Sequence, residues 1–123
     1  MENKNIKKIS LIITISVFLI IGIVVFILMN NKTVISESDA KLIGNNSILY
    51  TQVGCGHCLI QEQMFGENIK YLNVVDCFKE ENRKECSDKE IVVTPTWLIN
   101  NIKYEGVKSL KELKEILKEN GIQ

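Results

Sequence analysis

The chain lacks several features that would place it in a well-defined binding class. Its 123 residues carry a formal net charge of zero and contain a single proline, Pro95. A chain without a basic surplus gives no indication of nucleic-acid binding. There is also no internal repeat and no low-complexity tract, so we expect one small domain in addition to the first thirty residues.

Charge is also lacking over a long segment near the N-terminus. No charged residue occurs from Ile9 to Met29, a run rich in Ile, Leu, Val and Phe. Its length matches the roughly 20 residues needed to cross a bilayer, which predicts a single transmembrane helix. Lys4, Lys7 and Lys8 precede it and only Lys32 follows closely. By the positive-inside rule, the N-terminus is cytoplasmic and the C-terminal domain extracytoplasmic.

The alternative for this segment is a cleaved signal peptide. Such a peptide has an apolar region of about 7–15 residues and a small-residue cleavage site. No A-x-A pattern follows Met29, which favours an uncleaved anchor. We therefore predict a cytoplasmic tail at 1–8, a transmembrane anchor at 9–29, a juxtamembrane linker at 30–46 with a short helical turn around Ser38 to Leu42, and the folded domain at 47–123.

The domain begins with a predicted strand, helix and strand. Ser47 to Val53 is apolar and strand-like, Leu59 to Ile69 has helical spacing, and Tyr71 to Asp76 is a second strand. Two strands joined by a helix form a right-handed βαβ unit in which the strands are parallel.

The next segment, Cys77 to Glu90, is strongly charged and has few apolar residues. Burial alone would not hold it, so we predict partial helix stabilised by a Cys77–Cys86 disulfide, for which the chain-entropy model gives roughly 2.5 kcal/mol. The alternative is a pair of free thiols.

The C-terminal part predicts a hairpin and a helix. Because proline cannot pair in the middle of a central strand, Pro95 must precede a strand at 97–99. A turn at Asn100-Asn101 and a returning strand at 102–105 complete the hairpin. Ser109 to Glu112 is an S-x-x-E capping box that opens an amphipathic helix, and Gly121 is a plausible stop.

A redox motif lies where the first strand gives way to the helix: Cys55-Gly56-His57-Cys58. The free N–H groups and positive dipole end of the first helical turn favour a thiolate, which makes Cys55 the reactive sulfur. A protonated His57 would lower the pKa of the Cys55 thiol further, whereas the alternative for His57 is a plain solvent-exposed residue. Four cysteines in an extracytoplasmic domain suit an oxidising compartment.

These residues carry a resemblance to the thioredoxin fold, over roughly Ser47 to Leu117. Cys55 to Cys58 form the tetrapeptide of protein disulfide isomerases, and Thr94-Pro95 stands before the hairpin. The resemblance implies an α/β thioredoxin-like fold, β-α-β-α-β-β-α, preceded by one transmembrane helix. It also implies a cis Thr94–Pro95 bond that faces the active-site disulfide and docks substrate. The alternative at Thr94-Pro95 is an ordinary trans turn.

More narrowly, the chain resembles the thioredoxin-like domain associated with bacterial and archaeal vitamin K epoxide reductase family proteins. The matching features are Tyr50, Met64-Phe65-Gly66, the pair Cys77 and Cys86, Pro95-Thr96-Trp97, and the run from Tyr104 to Leu110. The resemblance implies a thiol oxidase whose substrates are exported thiol-containing proteins. Its partner would be a membrane oxidase that passes electrons to quinone, and its only redox group the cysteine disulfide, without a metal or other cofactor.

Two departures from ordinary thioredoxins bear on the direction of electron flow. The buried acidic residue usually found six positions before the first active-site cysteine is replaced by Leu49, and the usual Trp before that cysteine is Gly54. Poorer proton transfer to the second cysteine disfavours a general reductase. Two alternatives remain: an isomerase or reductase fed by a transmembrane electron donor, and a non-enzymatic zinc site formed by the four cysteines.

Overall fold

The computed structural model describes residues 2–30 and 34–122, which fall into two compact units. The first is one helix, α1 (Glu2–Asn30). Its segment Asn5–Leu28 contains an 18-residue stretch that has a mean hydropathy of 3.3 and is not buried, so the helix is long and apolar enough to span a membrane. A signal sequence near the N-terminus can also form an apolar helix that meets these criteria. Residues 31–33 of the predicted linker lie outside the described residues. They include Lys32, on which the predicted orientation partly depends.

The second unit is a mixed α/β domain built on a four-stranded sheet. Its elements are α2 (Glu37–Asn46), β1 (Ile48–Thr51), α3 (Gly56–Phe65), a 3₁₀ helix (Gly66–Tyr71), β2 (Asn73–Asp76), α4 (Glu80–Asp88), β3 (Thr96–Ile99), β4 (Ile102–Glu105) and α5 (Leu110–Glu119). The sheet order is β2-β1-β3-β4. β1 and β2 are parallel, and the other two pairs are antiparallel. This is a thioredoxin-like fold preceded by one apolar helix, which confirms the predicted fold class.

The boundaries of the βαβ unit differ from the sequence expectation. α3 begins at Gly56, inside the redox motif, and ends at Phe65 rather than Ile69. Gly66 has φ 52°, a left-handed conformation that ends the α-helix and is easiest for glycine. The chain then continues as 3₁₀ helix through Tyr71, so β2 begins two residues later than predicted, at Asn73.

The predicted linker contributes a helix to the core. Instead of a short turn, α2 spans ten residues, begins with a Ser36 cap, and buries Ala40, Ile43 and Gly44. A Cβ at Gly44 would clash with the backbone carbonyl oxygen of Tyr71, so α2 and the 3₁₀ helix are in direct contact. The spacing of three small or apolar residues at i, i+3 and i+4 explains this packing, which the polar composition of the segment obscures.

The sheet separates two apolar clusters. The larger one joins α2, α3 and α5 to one face of the sheet, and its fully buried members include Leu49, Phe65 and Trp97. The smaller one joins Tyr50 and Leu98 to Cys86 of α4. Successive residues of β1 thus enter opposite clusters, as the alternation of side chains along a strand requires.

The hairpin and the last helix follow the sequence prediction. Asn100 and Asn101 have φ values of 48° and 63°, the left-handed pair that a two-residue turn between twisted strands requires. At the start of α5, Ser109 and Glu112 form the predicted reciprocal capping box. Gly121, with φ 77°, follows the end of α5.

Candidate active site

Cys55 and Cys58 form a disulfide at the N-terminus of α3. Their Cα atoms are 5.3 Å apart. Cys55 is the residue that caps the helix, and its Sγ accepts a hydrogen bond of 3.2 Å from the backbone N–H of Cys58. That N–H and the helix dipole stabilise negative charge on Cys55 Sγ when the disulfide opens.

The two sulfurs differ in accessibility. Cys58 is only 2% exposed, whereas Cys55 is half-buried. An incoming thiolate therefore reaches Cys55 first. Gly56 and His57, the two residues between the cysteines, are both exposed on the first turn of α3.

Thr94 and Pro95 lie against the reactive sulfur. The peptide bond between them is cis, as the resemblance implies. The Thr94 carbonyl oxygen is 3.4 Å from Cys55 Sγ, and the Thr94 hydroxyl, 3.6 Å away, donates to the same sulfur. Pro95 is buried beneath this contact. The fold thus brings together four of the predicted site residues from two distant segments.

Gln61 is a buried polar residue that the sequence analysis missed. Its side chain is fully buried, one turn after Cys58. Its Oε1 accepts from the Lys108 backbone N–H at 2.7 Å and from Trp97 Nε1 at 3.2 Å, and its Nε2 donates to the Lys108 carbonyl oxygen at 3.1 Å. Gln61 therefore fixes α3 against β3 and the loop before α5. A polar residue on the apolar side of a predicted helix is the signal that could have found it.

Asp76 is a second residue that the analysis did not single out as part of the site. It lies at the end of β2, and its Oδ1 accepts from the backbone N–H groups of Val53 and Phe78, at 3.2 and 3.0 Å. The first of these bonds holds the loop that leads into Cys55. An acidic residue at the end of the predicted second strand was visible in the sequence, but its partner in the motif loop was not.

Cys77 and Cys86 form the second predicted disulfide, on the other side of the sheet. With Cα atoms 5.9 Å apart, it ties the residue after β2 to α4. The neighbouring Tyr50 hydroxyl donates to Glu85 Oε1 at 2.9 Å. Burial, and secondarily the hydrogen bond to the Glu85 carboxylate, raises the pKa of Tyr50 to about 12. The Tyr50–Glu85 hydrogen bond and the Cys77–Cys86 disulfide thus both attach α4 to the sheet.

A cavity of about 610 Å³ opens beside the active-site disulfide. It lies between the start of α3, the ends of β1 and β2, and the beginning of α4. Its lining includes Cys55, Cys58 and Glu62 from the α3 side, and Asp76 and Lys79 from the opposite side. Among residues 2–30 and 34–122, no group of three or more His, Cys, Asp or Glu side chains is arranged to hold a metal ion.

Part of the chain is similar to a known protein. No family model matches the chain. The chain is similar to the thiol-disulfide oxidoreductase LTO1 of Arabidopsis thaliana, with 40% identity over 75 residues, covering 55% of this chain and 20% of that protein. It thus corresponds to about one fifth of the length of this curated relative. The predicted link to vitamin K epoxide reductase family proteins stays a prediction.

Proposed function

We propose that this chain is a membrane-anchored thiol–disulfide oxidoreductase that forms disulfides in exported proteins. One observation carries the proposal: a disulfide at a helix N-terminus with a reachable Cys55 and a buried Cys58. The similarity to a named thiol-disulfide oxidoreductase supports the same chemistry. The apolar helix α1 supports an anchor, and the extracytoplasmic location is part of the proposal.

The reaction is an exchange of one disulfide for another. A substrate thiolate attacks Cys55 Sγ, the Cys55–Cys58 bond breaks, and Cys58 leaves with the electron pair and takes up a proton. The substrate's second thiolate then attacks the substrate sulfur of the mixed disulfide, and Cys55 leaves as a thiolate. The substrate loses two electrons and the protein gains them. The N–H of Cys58 and the terminus of α3 stabilise the departing Cys55 sulfur.

Substrate docking is assigned to Thr94 and Pro95. The Thr94 backbone is already in contact with Cys55 Sγ, so an extended peptide that pairs with it would present its cysteine to the reactive sulfur. This is a one-residue form of strand addition.

Turnover requires an acceptor for the two electrons left on Cys55 and Cys58. We assign this role to a quinone-linked membrane oxidase of the vitamin K epoxide reductase type. An anchor keeps the domain at the membrane, and the resulting high effective concentration would favour exchange with such a partner.

The first test is the reduction potential of the Cys55–Cys58 pair, measured on the full chain in detergent by equilibration with glutathione buffers. We expect a potential clearly more oxidising than that of thioredoxin, about −270 mV, because the reduced form gains stabilisation from the helix terminus. A value near −270 mV would contradict the oxidase direction.

Thiol trapping in cells then separates the oxidase from the alternative. An oxidase is found mainly with Cys55 and Cys58 joined, whereas an isomerase or reductase fed by a transmembrane donor is found mainly reduced. A quinone-reducing membrane protein that co-purifies with the Cys58→Ser variant as a mixed disulfide would identify the partner.

A further inference from the structure

The proposed exchange requires proton transfer at a sulfur that is almost completely buried. Cys58 gains a proton when the substrate opens the disulfide, and it must lose one when it attacks a mixed disulfide at Cys55 during reoxidation. With 2% of its surface exposed, Cys58 has little direct access to bulk water. A burial of this kind also disfavours the thiolate. Some group near Cys58 therefore has to carry the proton.

The middle of the sheet offers no such group. Leu49 of β1 is fully buried and pairs in register with Val74 of β2 and with Trp97 of β3, so these adjacent positions are all apolar. A proton acceptor for Cys58 must come from outside this apolar part of the sheet.

Glu62 meets the geometric requirements. It lies four residues after Cys58 in α3, so the two side chains share one face of the helix, and it is half-buried. Both residues line the 610 Å³ cavity, which is large enough for several water molecules. Within the described part of the chain, the Glu62 carboxylate has no hydrogen-bond or ion-pair partner, and its oxygen atoms remain accessible to water.

The other ionisable groups that line this cavity are less suited. Asp76 uses its Oδ1 to accept two backbone N–H groups, which commits it to holding the motif loop. Lys79, at the start of α4, carries a side chain that donates hydrogen bonds and offers no acceptor. The Thr51 hydroxyl and the Asn82 amide can order water but do not act as bases near neutral pH.

We propose that Glu62 is the proton acceptor and donor of Cys58, acting through water in this cavity. During reoxidation, the Cys58 thiol gives its proton to the Glu62 carboxylate, and the resulting thiolate attacks Cys55 Sγ of the mixed disulfide. The Cys55–partner bond breaks and the partner sulfur leaves with the electron pair. In the forward direction, the protonated Glu62 returns the proton to Cys58. This role rests on the proposed thiol–disulfide function.

The test separates the two chemical steps on the full chain in detergent. The reduced protein is mixed with oxidised glutathione, samples are quenched with acid, and the glutathione adduct is followed by mass spectrometry. Formation of the adduct reports attack by Cys55, and its decay reports attack by Cys58.

In Glu62→Gln, we expect adduct formation at the native rate and adduct decay slowed by at least tenfold near neutral pH, a threshold set below the roughly 10²–10⁴-fold that a general base contributes. The decay rate should also rise with pH up to a more alkaline value than in the native chain. Glu62→Asp, which keeps a carboxylate, should recover part of the rate. Glu67→Gln removes the same charge from an exposed residue of the 3₁₀ helix and should leave both steps unchanged.

Decay in Glu62→Gln within twofold of the native rate across the pH range would overturn the role of Glu62. An equal fall in both steps would also overturn it, since this indicates a structural effect. If the native chain formed no adduct at all, the proposed thiol–disulfide function would itself be wrong.

Discussion

The two disulfides of this domain contain the same bond in two different surroundings. Cys55–Cys58 closes a small ring, with a sequence separation of three, at a helix N-terminus, and its half-buried Cys55 sulfur contacts Thr94. Cys77–Cys86 spans a separation of nine residues and ties α4 to the sheet, with Cys86 6% exposed. We propose that access and stabilisation of the leaving thiolate, rather than the bond itself, make Cys55–Cys58 the reactive disulfide and Cys77–Cys86 the structural one.

The largest effect that this contrast predicts is loss of exchange on removal of the reactive sulfur. Cys55→Ser should reduce disulfide transfer to a reduced model substrate to the uncatalysed rate, because Cys58 is too buried to replace it. The measurement is substrate oxidation followed by thiol titration with the full chain. Retention of a substantial rate would mean that Cys58, or the second pair, is reached directly.

Removal of the second disulfide should affect stability instead. The double variant Cys77→Ala with Cys86→Ala should lose about 2–4 kcal/mol in the free energy of unfolding, since the loop is no longer closed. Its rate of adduct formation with oxidised glutathione should stay within a few-fold of the native rate. Urea unfolding measured beside that reaction checks both parts.

The opposite result for this double variant would contradict the distinction between the two disulfides. A large fall in the exchange rate with little change in stability would mean that Cys77–Cys86 passes electrons to or from the active site.

The smallest effect concerns pH and the Tyr50–Glu85 attachment of α4. The pKa of Tyr50 in the folded domain is raised to about 12, against a reference value of 10.0. The folded state therefore keeps the phenol proton where the unfolded chain has lost it. The stability that this proton contributes is complete below pH 10 and is lost as the pH rises from about 10 to 12.

The matched variant isolates this contribution from other groups that titrate in the same range. In Tyr50→Phe, the free energy of unfolding should fall less steeply above pH 10 than in the native chain, as measured by urea unfolding at a series of pH values. Identical slopes would show that Tyr50 does not carry the effect.

Much of the local structure was accessible from the sequence. The redox tetrapeptide between an apolar strand and an amphipathic helix, the Asn100-Asn101 turn and the capping box at Ser109 are signals of a few neighbouring residues. Because short-range sterics and hydrogen bonds govern such features, the pattern alone predicted them. The full length of α2 was not predicted because its few core residues are dispersed among polar ones.

The sequence by itself determined which two thiols form the small ring and that this ring lies where a strand gives way to a helix. Only the tertiary structure decided that Thr94 contacts Cys55, that Gln61 joins α3 to Trp97, and that Glu62 shares a cavity with Cys58. The reason is physical. These contacts join separate elements or depend on the space between them. That space is set by side-chain packing across the sheet, and the spacing of residues along the chain does not determine it.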